Sequence, residues 1–191
     1  MTSARPLISV FGSSRCISGE EQYDTALRLG RSLAEAGFAV CSGGYGGIME
    51  AVSRGAREVD GHTVGITCSV FGKTVNPWVV QEIPRQTWHD RMFSLLELGA
   101  GYVFLPGGTG TLVELAAAWE MLNKRLIEHR PAVVLGRFWT SMIETVREVE
   151  AHPENRWRES DGPLLYTVGD VASTVDYLGR ELAGSLAAGA E

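Results

Sequence analysis

The sequence predicts an α/β fold: a doubly wound parallel sheet with helices on both faces. Three observations predict it. Short apolar runs alternate with longer stretches of helical period, as in strand–helix units. Most of these runs are continuous rather than alternating, which is how strands buried on both faces read. Glycine or serine turns follow three of them, where strands of an open α/β sheet lead into helices.

The elements follow in order. LISVF at 7–11 predicts the first strand, and a helix over 20–36 carries Tyr23, Ala26, Leu27, Gly30, Leu33 and Ala34 at helical spacing. FAVCS at 38–42 is the second strand, with a helix over 46–58, and TVGIT at 63–67 is the third. The stretch 68–86, with FGKTVNPWVVQEIP, reads as a long connection holding a short extended piece. A helix over 87–98 leads to GYVFL at 101–105, and one over 110–123 leads to PAVVL at 131–135. A helix over 138–150, a polar loop at 151–163, LLYTV at 164–168 and a helix over 170–184 complete the series. Right-handed crossovers favour the strand order 3-2-1-4-5-6. Residues 1–191 read as one domain with a core over about 7–184, and the tail SLAAGAE is expected to fray.

Composition excludes several function classes. A net charge of -6 argues against a nucleic-acid surface, which needs a basic face. No run approaches the roughly 20 apolar residues of a membrane span, so no membrane partner and a cytoplasmic location are expected. Cys16, Cys41 and Cys68 lack CxxC spacing and His62, His89, His129 and His152 are scattered, so no metal site is expected. The cysteines read as small buried residues. Lys73 and Lys124 are the only lysines.

The three turns are Gly12-Ser13-Ser14-Arg15, Gly43-Gly44-Tyr45-Gly46-Gly47 and Pro106-Gly107-Gly108-Thr109-Gly110-Thr111. The first and third follow strands that flank the switch point, where open α/β sheets bind ligands. One such loop is ordinary architecture; three together point to a phosphate-bearing ligand. GSSR is not the dinucleotide fingerprint GxGxxG, and the second strand ends in Cys41-Ser42 without an acid for a ribose. Gly72-Lys73-Thr74 imitates the end of a P-loop, but Asn76-Pro77 follows where a helix should begin. A mononucleotide or sugar phosphate remains.

Two charged residues stand beside these turns. Glu114 falls in the first turn of its helix, and Thr111-Leu112-Val113-Glu114 matches a capping box, so it reads equally as a cap or as a catalytic carboxylate. Thr87 and Asp90 suggest a second capping box, which sets Arg91 in a first turn where the helix dipole disfavours a cation. Its long side chain has the reach for a neighbouring active site, in this chain or across a subunit interface.

Taken together, Pro106 to Glu114 match PGGxGTxxE, the signature of the LOG ("Lonely guy") family, often mislabelled lysine decarboxylase. VFGSS at 10–14, SGGYGGIM at 42–49 and VGIT at 64–67 extend the match in order over roughly residues 7–136. The resemblance implies a Rossmann-like fold, a homodimer with sites near the interface, and cytokinin riboside 5'-monophosphate phosphoribohydrolase activity. Such activity cleaves an N-glycosidic bond to free base and ribose 5-phosphate, without a cofactor or metal. It implies Glu114 and Arg91 as catalytic residues. Gly107, Gly108, Thr109, Gly110 and Thr111 are implied for the phosphate, with Gly43, Gly44 and Ser13 beside them. The chain departs from the family at Met92, where a lysine follows the arginine, and in FGKTVNPWVVQEIP, which is expected to shape the base pocket.

A decarboxylase needs a Schiff-base lysine, and neither Lys73 nor Lys124 sits in a cofactor motif. The alternative class is a non-catalytic nucleotide or molybdenum-cofactor carrier on the same fold. Single-stranded DNA binding is disfavoured by the acidic charge.

Overall fold

The computed structural model describes residues 5–151 and 163–188, with side chains described as far as 184. Seven strands form one sheet: β1 (Leu7–Phe11), β2 (Ala39–Ser42), β3 (Thr63–Cys68), β4 (Gln81–Arg85), β5 (Gly101–Phe104), β6 (Ala132–Leu135) and β7 (Leu165–Val168). Among the described residues six α-helices alternate with them: α1 (Glu21–Glu35), α2 (Ile48–Arg57), α3 (Trp88–Leu98), α4 (Thr109–Asn123), α5 (Thr140–Ala151) and α6 (Val171–Ala188). The order is β4-β3-β2-β1-β5-β6-β7 and every pairing is parallel. Omitting β4, this is the doubly wound order 3-2-1-4-5-6 expected from right-handed crossovers.

The central strands are continuous apolar runs because both faces are covered. Ile8, Val10, Val103 and Val133 pack in one cluster with Tyr23, Leu29 and Leu33 of α1 and Ile48 and Val52 of α2. Phe11, Tyr102, Phe104 and Val134 face the other cluster, with Leu95 and Leu96 of α3 and Leu115, Trp119 and Leu122 of α4. Phe11 and Phe104 stack with centroids 4.9 Å apart. The two helices on the first face approach closely. A Cβ at Gly30 would overlap the Val52 carbonyl oxygen, and one at Gly55 would overlap that of Leu27.

The extended piece within 68–86 is β4, an edge strand whose QEIPR sequence is exposed or half-buried. Pro84 sits where an edge strand tolerates it. The residues expected to form the 151–163 loop lie, between 152 and 162, outside the described residues. The tail expected to fray is helical through Ala188, and 189–191 lie outside the description. All three cysteines are buried and free, and burial pushes the Cys41 thiol up to about 12.

Candidate active site

A cleft of about 520 Å³ opens at the carboxyl ends of β1, β2, β3 and β5. That is the size class of small-molecule sites, at the position where open α/β sheets bind ligands. The backbone of Ser13 joins its three turns. Ser13 N donates to the Pro106 carbonyl at 3.0 Å, and its own carbonyl accepts from Ile48 N at 2.8 Å, at the start of α2. The turns after β1, β2 and β5 are therefore one tied unit.

The loop after β5 starts α4 at Thr109, with Gly108 as N-cap and no side-chain cap. Gly108, Thr109, Gly110 and Thr111 line the cleft at this end. Free N–H groups and the positive end of a 15-residue helix meet there, which suits an anion. Gly107 does not line the cleft; it is packed against the Thr111 side chain, where a Cβ would come 2.6 Å from Thr111 Cβ.

This start corrects the reading of Glu114. With the cap at Gly108, Glu114 is the sixth helical residue, in the second turn, and no capping box spans Thr111 to Glu114. Its carboxylate instead lines the cleft with its side chain 15% exposed. Burial pushes this carboxyl up to about 7, against the opposing pull of the Arg91 charge. A carboxyl in that range exchanges protons at neutral pH, as an acid–base catalyst requires.

Arg91 reaches the cleft of its own chain. Thr87 caps α3, accepting from Asp90 N at 3.1 Å, and its hydroxyl donates to Asp90 Oδ2 at 2.7 Å. The Arg91 side chain is 7% exposed, so the guanidinium runs inward rather than into solvent. Nε donates to the Ile66 carbonyl at 2.8 Å, Nη2 to Met49 Sδ at 3.7 Å, and Nη1 lies 3.8 Å from Glu114 Oε1. The guanidinium carbon lies 5.5 Å from the ring centroids of both Tyr45 and Phe71. Cation–π attraction and one carbonyl hold a charge that a helix start would otherwise disfavour.

The two glycines of the second turn divide. Gly43 lines the cleft, and a Cβ there would land on the Arg91 guanidinium and 2.7 Å from Met49 Sδ. Its missing side chain therefore admits Arg91 rather than a ligand. Gly44 faces away, toward Thr67 and Gly65 of β3, with φ 77°. Of the residues singled out in the sequence, Glu114, Arg91, Gly43, Ser13, Gly108, Thr109, Gly110 and Thr111 line one cleft, whereas Gly44 and Gly107 shape its turns.

Other lining residues lie in or beside the turns and the 68–86 connection without having been singled out one by one as site residues. Tyr45, Phe71 and Trp88 supply aromatic surface, and Arg15 and Lys73 supply charge. Tyr45 Oη donates to the Cys68 carbonyl at 2.9 Å and accepts from Cys68 N at 2.8 Å, pinning the end of β3 beneath the cleft. Three cations, Arg15, Lys73 and Arg91, face one carboxylate in a chain of net charge -6. This local excess of positive charge draws an anionic ligand into the cleft as a whole. Among the described residues no cluster of three or more His, Cys, Asp or Glu side chains is placed to hold a metal ion, and no helix is long and apolar enough to cross a membrane.

Known proteins resemble this chain in sequence and in fold. The profile of the SLOG cluster4 family matches residues 5–155. An uncharacterized protein of Archaeoglobus fulgidus is 32% identical over 134 residues, 67% of this chain and 82% of that protein. A probable cytokinin riboside 5'-monophosphate phosphoribohydrolase of Oryza sativa subsp. japonica is 32% identical over 121 residues, 61% of this chain and 53% of its own. That match thus spans about half of the rice protein. The molybdenum cofactor carrier protein of Chlamydomonas reinhardtii shares the fold, with TM-score 0.72 and 23% identity over 94% of this chain and 99% of its own.

Proposed function

We propose that this chain, which belongs to the SLOG cluster4 family and so to the wider LOG family, hydrolyses the N-glycosidic bond of a nucleoside 5'-monophosphate. The observation that carries this is the placement of Glu114, a carboxyl pushed up to about 7, beside Arg91 and in the second turn of a helix whose start lines the same cleft. The matched rice relative, named as a probable phosphoribohydrolase, supports the same chemistry.

In this reading the 5'-phosphate sits at the start of α4, on the N–H groups and hydroxyls of Gly108 to Thr111, with Ser13 and Arg15 alongside. One helical pitch, about 5.4 Å, then brings the ribose to Glu114. As the C1'–N bond breaks, its electron pair leaves with the base and the ribose gains oxocarbenium character, which a carboxylate stabilises. Water attacks C1' and its proton passes to Glu114. The departing base nitrogen takes up one proton from solvent, and Glu114 returns its proton to solvent, so one water is consumed and no net proton is released. The products are free base and ribose 5-phosphate. Arg91 keeps part of the Glu114 population ionised and balances charge near the leaving base. No step in this sequence calls for a cofactor. A homodimer in the cytoplasm belongs to the same proposal; Phe93 and Leu98 on α3 and Leu112 and Val113 on α4, left exposed, support the dimer.

The second reading is a carrier that binds a nucleotide or pterin phosphate without cleaving it. Met92 favours it: a buried apolar side chain, outside the cleft lining, follows Arg91 where the LOG signature has a lysine. Incubation with AMP, GMP, CMP and isopentenyl-adenosine monophosphate, followed by chromatography, separates the two. Base release supports the hydrolase, and intact nucleotide bound to folded protein supports the carrier.

A further inference from the structure

The connection between β3 and β4 is held against the cleft at two points. Buried Asn76 donates its backbone N–H to the Gly44 carbonyl at 2.8 Å and its Nδ2 to the Tyr45 carbonyl at 3.0 Å. Phe71 sets its ring edge-on to Tyr45, with centroids 5.9 Å apart. Between these anchors Gly72 takes φ 57°, and Lys73 follows as an exposed residue in the cleft lining. The loop that carries Lys73 is thus anchored on both sides of it.

Its place along the cleft follows from the sheet. The turns after β3 and β5 are separated by β2 and β1. Three strand spacings amount to about 14 Å. A phosphate at the start of α4 therefore leaves the loop that carries Lys73 on the far side of the cleft. A nucleotide lying in this direction presents its base to Phe71 and Lys73.

The ammonium group carries donors and no acceptor. A 6-oxopurine offers it two adjacent acceptors, O6 and N7, whereas adenine offers N7 alone with the N6 amino donor beside it. An apolar N6 substituent would strip the ammonium of water with nothing in return. We infer that Lys73 selects a 6-oxopurine nucleoside 5'-monophosphate, with hypoxanthine or guanine as base, over adenine nucleotides and their N6-prenylated forms. The inference rests on the phosphoribohydrolase reading and names its substrate.

IMP and AMP differ at the position at issue, so the ratio of their kcat/KM values reads the preference, with N6-isopentenyl-adenosine monophosphate as a third substrate. The ratio of IMP to AMP should be about tenfold or more, the scale of a hydrogen bond to a charged group. In K73A it should fall toward one, and in K73R it should be retained. A parent enzyme that prefers AMP or the prenylated nucleotide overturns the inference, as does a ratio unchanged in K73A. If no nucleotide is cleaved, calorimetric affinities of IMP and AMP test the same selection without the hydrolase reading. Tighter IMP binding lost in K73A supports it, and equal affinities overturn it.

Discussion

Arg91 Nη1 lies 3.8 Å from Glu114 Oε1, inside a chain where both side chains are largely withdrawn from water. The two charges attract without closing a hydrogen bond, so the carboxylate remains available to a substrate. Arg91 lowers the Glu114 proton affinity that burial raises, and the balance rests at about 7. Removing the guanidinium therefore raises the Glu114 pKa further. If ionised Glu114 accepts the water proton, activity rises with pH through about 7, and R91M moves that rise to higher pH as well as lowering kcat. A pH–rate profile of both proteins reads the shift.

Replacing Glu114 should separate function from fold. E114Q is expected to lose about 10²–10⁴ in kcat while still binding nucleotide. Its stability changes in the opposite sense to the loss of a cap. A folded-state carboxyl pKa raised to about 7 from the ordinary 4.5 means the native state resists ionisation. The contribution of the neutral carboxyl is intact below the unfolded pKa and is lost as pH rises through the folded one. E114Q should therefore melt above the parent at pH 8, with the gap closing toward pH 4. Thermal melts at the two pH values check this.

Adjacent glycines should fail differently. G43A places a methyl on the Arg91 guanidinium, so it should displace that side chain and depress kcat. In G44A the residue faces β3 with φ 77°, so its cost is to stability, about 1–2 kcal/mol from the left-handed backbone. Kinetics paired with urea unfolding distinguish the two.

These particular residues also mark what could be read without coordinates. The strands, their order and the convergence of three turns were legible because apolar runs and glycine turns are local signals. β4 was hidden as only a short extended piece, because QEIPR on an exposed edge has no apolar pattern. The position of Glu114 was misjudged because Thr-x-x-Glu fits a cap, and only the helix start at Thr109 decides against it. Arg91 was legible as an active-site candidate from its place in a first turn and from the resemblance, but not its burial, which depends on the space left by Gly43 and on the carbonyl of Ile66, remote in sequence. FGKTVNPWVVQEIP was expected to shape the base pocket, but that Phe71 and Lys73 of that stretch meet Tyr45 and Trp88 depends on the assembled sheet, which no spacing announces.

The helix pair α1–α2 gives a test confined to stability. A side chain at Gly30 meets the backbone of Val52, which cannot swing aside as a side chain can. G30A should cost about 1–3 kcal/mol by overpacking. Chemical denaturation measures the loss, and kcat per folded molecule should be unchanged, since neither helix contributes Glu114 or Arg91.

The central claim is that this cleft breaks an N-glycosidic bond. The direct measurement is a time course of free base and ribose 5-phosphate released from a panel of nucleoside 5'-monophosphates, by the parent chain and by E114Q. The account predicts equimolar base and sugar phosphate from the parent and neither from E114Q. Nucleotide recovered intact from folded parent protein, for every base in the panel, would contradict it.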